Sequence, residues 1–256
     1  MVPAAKLKSE FLAAFLVPLA LGAQDAGSLY RDGLRLFSER QPQAAISSLR
    51  QSVALEPANA AAWKALGVIH ASLGDYQSAE PEFRNACERL PSLEDACLYH
   101  GRSLYLLDRF PAAIETLRRA LTVRESAEAH RLLALSLEAL ARPAEAEPEF
   151  RAAIKLVRPA APDEDPGIDY GIFLYRQARA AEALPPLSAV LVRHPDSARA
   201  HLELGCVLLQ LDRLEEAATH LERSLALRDA PRTHQLLAKT YLRQGNSDKA
   251  EFHLKR

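Results

Sequence analysis

The chain has 256 residues, enough for one large domain or two small ones, and its 48% hydrophobic and 25% charged residues exclude wholesale disorder. Its 46 alanines and 43 leucines far outnumber its 20 valines, isoleucines and threonines, which favours helices over strands. With 32 basic and 33 acidic residues the formal net charge is −1. The composition therefore lacks the basic footprint of nucleic-acid-binding domains, and we expect no nucleic-acid partner.

Residues 1–23 differ in character from the rest of the chain. Lys6 and Lys8 precede an apolar run over residues 11–21, and small residues follow up to Ala23. This order is typical of a secretory signal peptide, and the run is shorter than the roughly 20 residues of a membrane-spanning helix. We predict cleavage after Ala23, with a retained anchor or a frayed helix as the alternative. We expect no transmembrane segment in the mature chain, because no second apolar run of spanning length follows.

A pattern of about 34 residues recurs through the remainder of the chain. In the copy over residues 60–93 it consists of Trp63, Leu66, Gly67, His70, Ala79, Phe83 and Pro91. The matching positions hold similar residues in six further copies, at residues 26–59, 94–126, 127–160, 164–197, 198–230 and, truncated, 231–256. One copy alone has little weight, but seven copies in register indicate a repeat protein.

The pattern resembles that of the tetratricopeptide-repeat (TPR) family over nearly all of the mature chain. The resemblance implies an all-α fold, a right-handed α-α superhelix of about seven helix-turn-helix repeats. We assign residues 24–160 to repeats 1–4 and residues 164–256 to repeats 5–7, the last of them truncated. Residues 161–163 form a linker, which is either a hinge between two sub-arrays or a longer loop within one continuous solenoid.

Small and cap-forming residues predict how each repeat is built. Gly67 stands where the two helices of a repeat approach most closely, and we expect Ala79 to receive that approach from the second helix. The turn between the helices is marked in one copy by Gly74. After the linker, Asp165 and Pro166 read as a helix cap and the first residue of the next helix.

The first helices of the repeats line the concave side of such a superhelix, as the resemblance implies. Their positions outside the core carry tyrosine, arginine and aliphatic residues, which suit an amphipathic helix or an extended peptide. Alternatively, the leucines and isoleucines pack between neighbouring repeats. The candidate partner-binding residues are Leu98, Tyr99, Arg102, Tyr105, Arg131, Leu135, Ile172, Tyr175, Arg176, Arg199 and Lys239.

Motifs for catalysis, metal binding or phosphate binding are not found in the sequence. We therefore predict a protein that is not an enzyme and that has no catalytic, cofactor-binding or metal-binding residues. His130, His201 and His234 occupy the position of Trp63. We interpret them as semi-buried packing residues, and a recurring set of metal ligands is the less favoured alternative. The acidic residues of the second helices are interpreted as solvated, namely Glu80, Glu82, Glu147 and Glu149.

Three cysteines are too few for a disulfide framework. Cys87 and Cys97 flank the turn between two repeats, and they are interpreted as two small buried hydrophobic residues. In an oxidising compartment the same two could instead form a disulfide. Cys206 is expected in the core or the groove.

These observations predict a non-enzymatic scaffold for protein-protein interaction, exported to the periplasm or cell envelope, that binds a peptide or protein segment in its concave groove. Two alternatives remain. The chain could be a structural subunit of an envelope assembly, such as a pilus, secretion or polysaccharide-export machine. It could also be the interaction module of a larger enzyme.

Overall fold

A computed structural model of the protein describes residues 25–93, 95–156 and 161–256. These residues form fourteen α-helices and one short 3-10 turn, Pro162–Glu164, and they contain no strand. The predicted signal peptide and its cleavage site lie outside the described residues. The helices are α1 (Ala26–Ser38), α2 (Pro42–Leu55), α3 (Ala60–Ser72), α4 (Tyr76–Arg89), α5 (Ala96–Leu106), α6 (Phe110–Val123), α7 (Ala127–Ala139), α8 (Pro143–Lys155), α9 (Pro166–Arg176), α10 (Ala180–Arg193), α11 (Ala198–Gln210), α12 (Leu214–Leu227), α13 (Pro231–Arg243) and α14 (Ser247–Leu254).

The chain divides into two compact units, the first ending at Glu56 and the second spanning Pro57–Arg256. In the first unit α1 and α2 form an antiparallel pair. The Ser52 hydroxyl at the end of α2 donates a hydrogen bond of 2.7 Å to the carbonyl of Ala26 at the start of α1. Leu49 is fully buried between the two helices.

The second unit contains α3 to α14, arranged as six helix pairs. Each helix packs against its partner and against the next helix along the chain, and α5, α7, α9, α11 and α13 also contact one another in series. The first helices of successive pairs therefore form one continuous layer. Within the described residues, no helix combines the length and the apolar character needed to cross a membrane.

A left-handed residue closes the turn inside every helix pair. Only two of the seven, Gly74 and Gly245, are glycine, the residue that adopts this conformation without steric cost. The other five, whose φ lies between 55° and 60°, are Arg40, Asp108, Ala141, Ala178 and Asp212. The turns therefore share one geometry although the sequence marks it with glycine in only two copies.

Glycine sets the spacing between the helices of most pairs. A Cβ added at Gly67 would come within 2.7 Å of the Phe83 ring, and one added at Gly101 within 2.7 Å of Leu117. Gly33, Gly171 and Gly205 lie in the same way against a leucine sixteen residues later. The atoms nearest to Gly67 belong to Phe83, one turn further along α4 than the fully buried Ala79, so the expectation that Ala79 receives Gly67 stays a prediction.

The disulfide, which we had ranked below two buried thiols, is present in the structure. Cys87 on α4 and Cys97 on α5 are joined by an S–S bond of 2.03 Å, with their Cα atoms 4.7 Å apart. The favoured interpretation was wrong because the tight turn between the two repeats brings the two Cα atoms within bonding range. Cys206 is free and buried, and its burial raises the pKa of the thiol to about 11.

The linker region packs onto the repeats that follow it. Asp165 caps α9 by accepting a hydrogen bond of 2.8 Å from the Gly167 amide, and Pro166 is the first residue of the helix, as predicted. The buried carboxylate of Asp165 is also held by the Arg193 guanidinium at 2.8 Å. Asp163 of the linker accepts hydrogen bonds from Ser197 and from the Arg199 amide at the start of α11. The linker is thus held by the repeats that follow it, and the choice between hinge and continuous solenoid stays a prediction.

Replacing Gly67 by leucine is expected to lower the free energy of unfolding by about 1–3 kcal/mol, because the new side chain must displace the Phe83 ring from a packed interface. Chemical denaturation measures the change. The matched control is Gln77→Leu, which places the same side chain on the exposed face of α4 and should change stability by less than about 0.5 kcal/mol. Equal effects of the two substitutions would contradict the close-packing argument.

Reducing the Cys87–Cys97 bond is expected to cost about 3 kcal/mol of stability, the chain-entropy value for a loop with a sequence separation of 10. Intact-mass measurement should show a gain of two hydrogen masses on reduction, and denaturation should show the loss of stability. The double variant Cys87→Ala/Cys97→Ala is the control, since its stability should not respond to reductant. An unchanged mass would show that the bond does not form.

Candidate interaction groove

The candidate partner-binding residues lie along five successive first helices. Those on α5 are Leu98, Tyr99, Arg102 and Tyr105; those on α7 are Arg131 and Leu135; those on α9 are Ile172, Tyr175 and Arg176; Arg199 lies on α11 and Lys239 on α13. Because these helices pack side by side, their side chains share one layer of the second unit. We call this layer the groove layer.

Two of the predicted arginines hold a buried carboxylate of their own chain. Asp169 on α9 is almost fully buried, and it pairs with Arg131 from α7 and with Arg199 from α11. The Arg199 Nη2 to Asp169 Oδ1 distance is 2.5 Å. Removing one partner of a buried charge group leaves an uncompensated ion and typically costs about 3–5 kcal/mol. Arg131 and Arg199 therefore tie three repeats together and are not free cations.

The other groove arginines form ion pairs between neighbouring first helices. Arg102 on α5 lies 3.3 Å from Glu128 on α7, and Arg176 on α9 lies 3.2 Å from Glu138 on α7. The Arg102–Glu128 pair is exposed and contributes about 0–1 kcal/mol, so a ligand carboxylate or carbonyl can replace Glu128 at little cost. The Arg176 side chain is 63% exposed, but that of Glu138 is only 15% exposed, so this glutamate depends on Arg176 for its pairing. Lys239 on α13 is exposed as well.

The tyrosines of the groove layer are half-buried, with part of each ring accessible. The Tyr99 ring contacts Phe83 with centroids 5.3 Å apart, and the Tyr105 ring contacts Phe110 at 5.9 Å. Burial raises the pKa of both Tyr105 and Tyr175, so each phenol stays protonated and can donate a hydrogen bond at neutral pH. Half-buried aromatic residues with a polar tip are suited to anchoring a partner.

The aliphatic candidates divide by burial. Leu98 is buried in the core, as are three other first-helix residues that could have lined the groove, Leu132, Ile168 and Leu202. Leu135 and Ile172 are half-buried and pack against the core with part of their surface open. Packing between repeats thus accounts for the position of the buried ones, and the half-buried pair borders the open side.

An open pocket of about 670 Å³ lies on the groove layer between α5 and α7 and reaches the start of α9. Three predicted residues, Arg102, Tyr105 and Arg131, contribute to its wall. Sequence reasoning missed the rest of the lining, because most of it comes from helix ends and inter-repeat loops. Those further lining residues are Leu106, Arg124, Glu125, Ser126, Ala127, Glu128, Leu132, Leu156, Glu164 and Pro166.

The lining of this pocket mixes charges of both signs with apolar surface. Arginine side chains stand beside glutamates, and Tyr105, Leu132 and Leu156 supply the apolar part. A polyanion would meet the glutamates as well as the arginines, so the pocket does not favour one. A peptide segment, which offers carbonyls, amides and side chains together, matches such a lining better.

Two glutamates that we interpreted as solvated are buried. Glu82 lies 2.7 Å from His70, and Glu80 lies 2.9 Å from His100 and 3.2 Å from Arg109. Burial lowers the pKa of His100 against the opposing effect of Glu80. The interpretation was wrong because α4 packs between its partner α3, which carries His70, and α5 of the next repeat, which carries His100. The sequence contained one signal for this burial, the pentapeptide Ala-Glu-Pro-Glu-Phe, which occurs at residues 79–83 and again at residues 146–150.

Glu147, in the second copy of that pentapeptide, joins repeats on either side of the linker. Its carboxylate accepts from Arg179 at 2.6 Å, from Arg151 at 2.7 Å and from the Tyr170 hydroxyl at 3.1 Å. The hydrogen bonds from Arg179, Arg151 and Tyr170 outweigh the effect of burial and lower the pKa of Glu147 to about 2. It was expected to be solvated, but only about a fifth of its side chain is exposed.

The comparisons with known proteins identify the class of the chain. The model of the tetratricopeptide-repeat family matches residues 30–94, 99–165 and 171–232, so the chain belongs to this family. The predicted fold class, an all-α solenoid of TPR helix pairs, is confirmed. No curated protein matches the chain.

Solved TPR structures share the fold at low sequence identity. The Cut9–Hcn1 assembly of APC/C matches with a TM-score of 0.66 and 19% identity over 84% of this chain, which spans only 42% of that one. Pseudomonas aeruginosa pilF matches with a TM-score of 0.66 and 19% identity, over 84% of this chain and 97% of its own. YrrB, described as a TPR protein with an unusual peptide-binding site, matches at 0.57 and 19%, over 76% and 97%.

Glu147→Gln is expected to lower the free energy of unfolding at pH 7 by about 1–2 kcal/mol, since the charge-assisted bonds are partly screened by solvent. A lowered carboxyl pKa stabilises the fold above the ordinary value near 4.5, and this contribution is lost as the pH falls towards about 2. Denaturation at a series of pH values should therefore show a flatter acid limb in the variant. Glu182→Gln, which removes an exposed partner of Arg179, is the control and should have a smaller effect.

Proposed function

We propose that the protein is a non-enzymatic scaffold that binds a peptide or protein segment on its groove layer, as membership of the TPR family favours. The observation that carries the proposal is the pocket between α5, α7 and the start of α9, which brings three sequence-predicted residues together in one open cavity. A volume of about 670 Å³ accommodates a few side chains of an extended segment.

In this proposal one set of residues anchors the ligand and another set selects which ligand binds. Tyr105 supplies a half-buried ring and a phenol donor, and the exposed Leu106 and Leu156 provide apolar contact for the ligand. Arg102 exchanges its exposed glutamate partner for a ligand carboxylate or carbonyl, and the exposed Arg176 offers its remaining donors while it stays paired with Glu138. Arg131 and Arg199 act through Asp169 by fixing the relative positions of α7, α9 and α11.

We also propose that the protein is exported to the periplasm or cell envelope. Residues 1–23 have the order of a signal peptide, and the Cys87–Cys97 disulfide is the kind of bond that persists in oxidising compartments. Intact mass of protein from the exported fraction tests this, with a chain beginning at Gln24 as the expected result. A chain that retains Met1 and stays with reduced thiols in the cytosol would contradict it.

A photo-crosslinking residue at Leu106, exposed at the pocket, tests the binding site. We expect adducts with a small set of proteins, identified by mass spectrometry, and at least tenfold fewer adducts when Tyr105→Ala is added. The control places the same crosslinker at Glu115, which is exposed on the second helix α6. Adducts from the Glu115 position alone would contradict groove binding and support a structural subunit that uses its convex side.

A further inference from the structure

The eight histidines of the chain fall into two groups by what they face. His70, His100, His130 and His194 each lie beside a carboxylate, at distances between 2.5 and 3.6 Å. The other four face one another in two pairs, which occur in repeats 6 and 7. A ring that faces a second histidine meets another ring nitrogen in place of a carboxylate oxygen, and this makes the two pairs chemically distinct from the other four.

The two pairs have the same geometry. The Nδ1 atoms of His201 and His220 lie 2.9 Å apart, and those of His234 and His253 also lie 2.9 Å apart. In each pair the first histidine lies in the first turn of one helix, and the second lies nineteen residues later on the partner helix. The ring centroids are separated by 5.2 Å and 5.1 Å, which places each pair of nitrogens directly between the rings.

In the first histidine of each pair, the ring nitrogen remote from the partner histidine, Nε2, already lies next to a hydrogen-bond acceptor. Nε2 of His201 lies 3.0 Å from the Pro195 carbonyl, and Nε2 of His234 lies 3.0 Å from the Asp229 carboxylate. Both acceptors require the proton on Nε2, so in the neutral ring the Nδ1 lone pair points at the partner histidine. An N–H to carbonyl or carboxylate contact on the remote nitrogen is the usual support of a metal-bound imidazole.

The second histidine of each pair can also present a lone pair. Burial lowers the pKa of His220, and the charge of His201 lowers it further. Burial and His234 lower the pKa of His253 in the same way, with Lys249 acting in the same direction and Glu222 against it. Both rings are therefore neutral at pH 7, and a cation that replaces the single shared proton would be held by two nitrogens.

We propose that the pairs His201–His220 and His234–His253 are two bis-histidine sites for a divalent transition-metal ion such as Cu²⁺ or Zn²⁺. Imidazole nitrogen suits these ions. Bonds of about 2.0–2.1 Å place two nitrogens about 3.3 Å apart on a tetrahedral Zn²⁺ ion, and at similar bond lengths about 2.9 Å apart on neighbouring positions of a tetragonal Cu²⁺ ion. The rings need to separate by at most a few tenths of an ångström. The proton on Nδ1 of the second histidine is given up to solvent while its Nε2 takes one from solvent, so both rings stay neutral, no net proton is released, and no oxidation or reduction is involved.

The remaining coordination positions belong to water. Within residues 25–93, 95–156 and 161–256, no group of three or more His, Cys, Asp and Glu side chains is placed to hold a metal ion. The sites are thus open and exchangeable, unlike the closed four-ligand sites that stabilise small zinc domains. Such a site binds an ion reversibly and leaves room for a further ligand from a partner.

Calorimetric titration of the disulfide-intact mature chain with Cu²⁺ at pH 7.5 tests the proposal. We expect two ions per chain, and we expect electron paramagnetic resonance to show nitrogen coupling from two imidazoles at each. His220→Gln should remove one ion, His253→Gln the other, and the double variant both, with at least tenfold weaker residual binding. Glutamine retains an amide donor for the facing Nδ1, and circular dichroism of the metal-free variants checks that the fold is unchanged.

The matched control is His130→Gln. His130 lies at the equivalent position in repeat 4, and its Nδ1 faces Glu149 at 2.5 Å instead of a histidine. This variant should still bind two ions with the same nitrogen coupling. Absence of binding in the wild-type chain, or binding that survives in the double variant, would overturn the proposal.

Discussion

The spacing between paired helices depends, in five of the seven pairs, on the close contact between a glycine on the first helix and a large side chain sixteen residues later. At Gly67 and Phe83 this contact leaves no room for a Cβ, and the same holds for the leucine counterparts in four other repeats. Because the small residue lets the backbones approach, each pair becomes a thin, uniform unit. Uniform units stack, and their first helices then lie in one layer where a groove can form.

Polar contacts between repeats then determine which side chains of that layer remain available to a ligand. Asp169 engages Arg131 and Arg199, so these cations belong to the framework. Arg102 makes only an exposed pair and stays open to exchange, whereas the exposed Arg176 is paired with the largely buried Glu138. The arginines of the groove are therefore engaged with carboxylates of the same chain, and we expect its selectivity to depend more on shape and aromatic contact than on net charge.

The period of the repeats, the role of Gly67 and the cap at Asp165 could all be predicted, because each depends on local spacing or on a residue type with few other uses. The partners of the groove arginines could not be predicted, because Asp169 lies 38 residues from Arg131, beyond the range of local spacing rules. Glu80 and Glu82 occupy positions that are solvated on a single helix, and they are buried here against His100 of the next repeat and His70 of the partner helix. Sequence reasoning found the part of the groove that the first helices form. It missed the residues that loops contribute, such as Arg124.

The position of the disulfide has a consequence for how the pocket can change shape. The Cys87–Cys97 bond fixes the start of α5 to α4, and α5 carries Arg102 and Tyr105 on one side of the pocket. The facing side, formed by α7 and the start of α9, is held only by noncovalent contacts. A guest too large for the resting cavity would therefore displace α7 and α9 outwards while α5 stays in place, and the widening would be one-sided.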